Sequence, residues 1–147
     1  MKTILKSIFH PGNYQDNISL ALLVLRLVVG VFMLTHGYGK LQTLIGEGPI
    51  KFTDPIGIGH AASLTLAVFA EVMCSVLVIF GVTTRFAAIP LIITMLVAAF
   101  ITHAPDAFGK KELPLLYASV YVAILLAGAG KYSVDYIVFK KLNRRNH

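Results

Sequence analysis

Apolar residues in this chain come in blocks rather than stripes. Near-continuous apolar runs cover about Ile18 to Leu41, Leu64 to Gly81, Phe86 to Ile101 and Leu113 to Gly130, separated by polar or Gly/Pro-rich stretches. A run of about 18 residues at about 1.5 Å rise nearly crosses a hydrocarbon core about 30 Å thick, whereas a helix of a water-soluble fold carries one apolar stripe. Each block therefore predicts a membrane-spanning helix. The link Val82-Thr83-Thr84-Arg85 can only turn the chain back, which makes the second and third spans antiparallel neighbours. The pattern as a whole predicts an all-α integral membrane four-helix antiparallel bundle, one transmembrane domain over residues 1–147, with an N-terminal interfacial helix and a Gly/Pro-rich outer loop.

The interfacial helix is expected over Met1 to Phe9, where Ile4, Leu5, Ile8 and Phe9 share one helical face and Lys2, Lys6 and Ser7 the other. The breaker His10-Pro11-Gly12-Asn13 follows, and Asp16 or Asn17 is placed to cap the first span. A secretory signal peptide fits less well: the breaker interrupts it, the first block is too long for its apolar region, and no small-x-small cleavage site follows. The stretch Gln42 to Ser63 holds Pro49, Phe52, Pro55, Ile56 and Ile58 among glycines. It is apolar yet unable to form a long helix, so it is expected to fold back onto the bundle, buried by protein or facing water.

Charge sets the orientation. Lys2, Lys6, Arg85, Lys131, Lys140, Lys141, Arg144 and Arg145 fall on the side of the termini, against Lys40, Lys51, Lys110 and Lys111 on the other, where Glu47, Asp54, Asp106 and Glu112 dilute them. By the positive-inside rule both termini are expected in the cytoplasm and the chain in the cell (inner) membrane. The composition agrees, with 56% hydrophobic against 14% charged residues. The net charge of +6 sits at block ends and termini, which suits lipid headgroups and not nucleic acid. A lone cysteine, Cys74, rules out an internal disulfide or CxxC couple.

Two ionisable residues lie deep within spans. Counted from the expected cytoplasmic ends, Arg26 is roughly 12 Å deep in the first span and Glu71 roughly 15 Å deep in the second. A central arginine alone costs about 2.5 to 3.5 kcal/mol, so an Arg26–Glu71 pair across the bundle is its cheapest arrangement, either a structural pair that fixes register or a relay. The spacing Arg26, Gly30, Met33, Gly37 marks an interior face that another helix approaches closely. Ala67, Cys74 and Ser75 flank Glu71 in the same manner.

A second polar group gathers at the outer end. His36 and Lys40 close the first span, Asp54 and His60 precede the second, His103 and Asp106 follow the third, and Tyr117 and Tyr121 share a face of the fourth. Three readings fit: a polar pocket for a quinone headgroup, small anion or peptide; interfacial snorkelling; or a metal site. No HxxxH or HExxH pair is present, so no metal ligands are assigned.

These features resemble the DoxX family of small four-helix membrane proteins. The resemblance rests on Arg26 followed by His36-Gly37-Tyr38-Gly39-Lys40, on Phe52-Thr53-Asp54-Pro55-Ile56-Gly57-Ile58-Gly59, on Glu71, and on Gly81-Val82-Thr83-Thr84-Arg85-Phe86-Ala87-Ala88, in that order from about Leu22 to Gly130. The family takes its name from a subunit of a thiosulfate:quinone oxidoreductase, and other members are associated with membrane redox complexes and thiol stress. The resemblance thus implies a subunit of a membrane redox system, quinone- or thiol/sulfur-linked, with Arg26, His36, Lys40, Glu71 and Arg85 at the family's polar positions and no catalytic role attached to any of them. Electrons would come from a redox partner protein or a bound quinone. The alternative is a non-enzymatic module that holds a lipid, peptide or partner membrane protein between its helices; a transporter of four spans without a repeat would need to form a homo-oligomer.

Overall fold

The computed structural model describes residues 16–144, and the expected interfacial helix at Met1 to Phe9 lies outside them. Among the described residues every regular element is helical. Helix α1 runs Asp16–Ile45, α2 His60–Phe80, α3 Thr84–Thr102, α4 Phe108–Ala127 and α5 Val134–Arg144. The first three are long and apolar enough to cross a membrane. Helix α4 is 20 residues long but carries Lys110, Lys111 and Glu112 at its start.

The helices overrun the apolar blocks, because a helix need not stop where hydrocarbon gives way to headgroups. At 30 residues, α1 is about 45 Å long. Helix α4 begins at Phe108, five residues before the block, and stops at Ala127 because Gly128 and Gly130 take positive φ of 86° and 75°. Helix α2 ends in a Schellman motif: Gly81 is left-handed, the Val82 N–H donates to the Leu77 carbonyl and the Gly81 N–H to that of Val78.

One core joins α1 to α4: Val29 and Met33, Cys74 and Val78, Leu91 and Met95, Tyr121 and Ile124 are buried together. The outward faces are apolar too, with Leu20, Val24, Phe32, Phe69, Phe80, Phe86, Phe100 and Leu126 all exposed. Water would penalise such a surface heavily, whereas lipid does not. Helices α1 and α2 touch closely at glycines. A Cβ on Gly37 would lie 2.8 Å from Val72 Cγ2 and 3.0 Å from the Glu71 backbone, so only glycine lets the two helices meet there.

Two π-helical stretches interrupt α2 and α3, at Phe69–Cys74 and Ala98–Thr102. Each wide turn rotates the residues that follow it relative to a regular helix, and such turns are frequent at functional sites. Here one contains Glu71 and the other leads directly into His103.

Candidate functional site

Arg26 and Glu71 do not pair. Both are buried, at 0% and 1% exposure, but Arg26 lies against the Gly81 turn while Glu71 lies against Gly37, eleven residues further along α1 and about 16 Å away. Counting from span ends placed them level, but α1 extends past the end of α2 and the two counts start at different depths.

Each residue has another partner. The Arg26 Nη2 donates to the Tyr132 carbonyl, and Asp135 supplies the counter-charge within electrostatic reach. The Asp135 carboxylate, buried at the start of α5, accepts from the Thr83 and Thr84 N–H groups at 2.7 and 2.9 Å and so caps α3 from a distance in sequence. Its own N–H donates to the Gly81 carbonyl at 2.9 Å. A Cβ at Gly81, where φ is +68°, would overlap Arg26 Nη1. This end of the molecule is a structural clamp that ties α1, the α2–α3 turn and the C-terminal segment together. On the same side, Lys131 Nζ meets Asp16 Oδ1 at 2.6 Å.

Glu71 pairs instead with Lys40, whose ammonium donates to Oε1; the side chains are 2% and 32% exposed. Glu71 Oε2 has no hydrogen-bond donor. The Lys40 ammonium also lies over the Phe52 ring, 5.8 Å from its centroid, so the outer loop packs on the pair.

Two cavities meet at this ion pair and share Lys40, Glu71, Ala98 and His103. The first, about 220 Å³, lies among α1, α3 and α4 and is lined further by Met33, His36, Met95, Lys110, Leu113, Pro114 and Tyr117. The second, about 320 Å³, runs between α2 and α3 beneath the outer loop, along Phe52, Pro55, Ile56, Leu66, Ile93 and Val97. Leu66 and Ile93 are also exposed on the outside of the bundle, so the second cavity reaches the lipid-facing surface.

The other expected site residues divide. His36, one turn before Lys40, meets Tyr117 edge to face at 5.8 Å, and Tyr117 stacks on Tyr121 at 6.3 Å. Tyr121 is fully buried one turn deeper, with its hydroxyl 3.5 Å from the Val29 carbonyl. His103 Nδ1 lies 2.8 Å from Asp106 Oδ2. A carboxylate oxygen accepts, so Nδ1 carries the proton and Nε2 is left for a ligand. The His103 hydrogen bond, aided by Lys110, holds the Asp106 carboxyl below its ordinary range.

Asp54 and His60 lie outside both cavities. Asp54 accepts from Ser63 Oγ at 2.7 Å and from the Gly59 and Ile58 N–H groups at 2.8 and 3.0 Å, and these bonds hold its carboxyl low. His60 Nδ1 lies 2.7 Å from the Phe52 carbonyl. Both shape the outer loop that places Phe52 over Lys40. Lys110 and the π-helical turns join the site without having been expected there. Among the described residues no three His, Cys, Asp or Glu side chains converge as a metal site.

A carboxylate with a free oxygen beside an ammonium, an oriented imidazole and stacked phenols can bind a small polar headgroup and exchange a proton with it, while the adjoining apolar cavity takes a chain. The apolar exterior and buried charges define a small helical membrane protein with a polar site at one end. The chain belongs to the DoxX family, whose model matches residues 21–104. An uncharacterized Haemophilus influenzae protein is 34% identical over 80% of this chain and 90% of its own length. A Bacillus subtilis protein named "Putative oxidoreductase CatD" is 29% identical over 80% of this chain and 87% of its own. The Escherichia coli inner membrane protein YqjF is 26% identical over 81% and 92%. No solved structure matches the chain.

Proposed function

We propose that this protein is the quinone-holding membrane subunit of a redox system, in which the headgroup sits at Lys40, Glu71 and His103 and the isoprenoid tail leaves through the apolar cavity between α2 and α3. In this reading α4 crosses the bilayer with α1 to α3 as one antiparallel four-helix domain, and the basic end carrying the termini faces the cytoplasm. The supporting observation is the position of the Lys40–Glu71 pair where a polar and an apolar cavity meet, the second reaching the lipid-facing surface. A molecule with a polar head and a long apolar tail matches that shape. Electrons come from a partner protein, since this chain has one thiol and no cofactor motif; its own groups exchange protons with the quinone oxygens. The name of the relative "Putative oxidoreductase CatD" agrees with the reading.

The test is titration of a short-tailed quinone into nanodiscs containing the protein, read by quenching of tyrosine emission, together with chromatography of the organic extract of freshly purified protein. Saturable binding that is lost in folded Lys40→Met, and quinone in the extract, are expected. Extracts holding only phospholipid, with no saturable quinone binding, favour instead a non-enzymatic module whose apolar cavity holds an acyl chain.

A further inference from the structure

We infer that the site selects the reduced, hydroxyl-bearing quinol over the corresponding quinone, through Glu71 Oε2. The inference rests on the quinone-site reading above and concerns which redox form that site prefers.

Glu71 is 1% exposed and lines both cavities, and its backbone and Cβ lie against Gly37. Oε1 is taken by Lys40 Nζ, and Oε2 has no donor. A buried carboxylate oxygen without a donor is costly, and a carboxylate that faces an ammonium only accepts.

The surroundings do not supply the missing bond: His36 and Tyr117, which carry donors and line the same cavity, make no hydrogen bond to Oε2. His103 Nδ1 is committed to Asp106, and Lys110 also reaches Asp106, at 3.5 Å. Met33, Met95, Ala98, Leu113 and Pro114 line the polar cavity with apolar side chains, and Pro114 lacks even a backbone N–H. Water can satisfy such an oxygen in an empty site, and a headgroup that displaces water from it must replace that bond. A quinone presents only carbonyl oxygens, which a carboxylate repels. A quinol hydroxyl donates to Oε2, a hydrogen bond to a charged acceptor that makes the quinol bind about 10- to 100-fold tighter. A tenfold preference makes bound quinone a stronger oxidant by about 30 mV for the two-electron couple.

The experiment measures dissociation constants for one short-tailed quinone in both oxidation states, the reduced form kept under anaerobic reductant, with the protein in nanodiscs. The quinol is expected to bind at least about tenfold tighter in the wild type. In Glu71→Gln the amide also donates to a carbonyl, so the two forms should bind within about twofold of each other. Equal affinities in the wild type, tighter quinone binding, or an unchanged preference in folded Glu71→Gln would overturn the inference while leaving the quinone site standing. Binding of neither form would remove both. If Glu71→Gln fails to fold, the wild-type comparison alone decides.

Discussion

Changing Asp135 to Asn is predicted to loosen the clamp at the basic end of the molecule. The native carboxylate is 4% exposed, accepts two backbone N–H groups, from Thr83 and Thr84, and lies within electrostatic reach of Arg26. Asparagine keeps one acceptor oxygen and turns an NH2 toward the other N–H. That buried donor goes unsatisfied at a cost of about 1–3 kcal/mol. Arg26, 0% exposed, also loses the nearby negative charge of Asp135, which faces it without a direct ion pair. The two losses share the same groups, so a total of about 3 kcal/mol is expected and not a larger sum. Adding Arg26→Met removes the charge that needed Asp135, so the double variant should recover about 1–3 kcal/mol. Reversible unfolding in mixed micelles, titrated with SDS and followed by far-UV circular dichroism, gives each corner of the cycle. Arg26→Met combined with Glu71→Gln should instead be additive within about 0.5 kcal/mol, as expected for sites so far apart. A loss below about 0.5 kcal/mol in Asp135→Asn, or a stronger coupling of Arg26 to Glu71 than to Asp135, would refute the assignment.

Lys40→Met strands the Glu71 carboxylate and should cost about 3–5 kcal/mol in the same titration; Lys40→Met with Glu71→Gln should recover most of it, and equal losses in the single and double variants would contradict the pair. The Asp54 carboxyl is held low by its bonds to Ser63, Gly59 and Ile58, so those bonds are present above the unfolded carboxyl value of about 3.9 and are lost as pH falls through the lower folded value. Hydrogen exchange at the Ile58 and Gly59 amides should show steady protection above about pH 4, loss below it, and no such step in Asp54→Asn. Protection that stays constant from about pH 5 down to about pH 3 would contradict the assignment.

The membrane-spanning length of α1 to α3 was legible because lipid demands uninterrupted apolar length, and the blocks supply it. The buried charges were legible as anomalies but not as pairs. Pairing depends on relative depth, and depth counted from block ends fails when one helix overruns its neighbour, as α1 does at the Gly81 turn. Asp135 was invisible for a related reason: it stands beyond the last span, in a segment that reads as headgroup-bound, and only the return of the chain across the Gly81 turn buries it. The convergence of His36, Lys40, His103 and Tyr117 followed from their common position at block ends. Asp54 and His60 share that position but are consumed by loop hydrogen bonds, which hydropathy does not register. The π-helical turns at Glu71 and before His103 leave no mark in residue type at all, since they follow from packing between helices.

Whether a quinone headgroup sits at Lys40, Glu71 and His103 is tested most directly by photolabelling with a short-tailed azidoquinone in nanodiscs, with the attachment sites mapped by mass spectrometry. Labels are expected on His36 or Lys40 in α1, around Glu71 in α2 and near His103 just after α3, all displaced by unlabelled quinone. Labels spread over the outward faces at Phe32, Phe80 and Leu126, or gathered at the Arg26 end and unaffected by competitor, would contradict it.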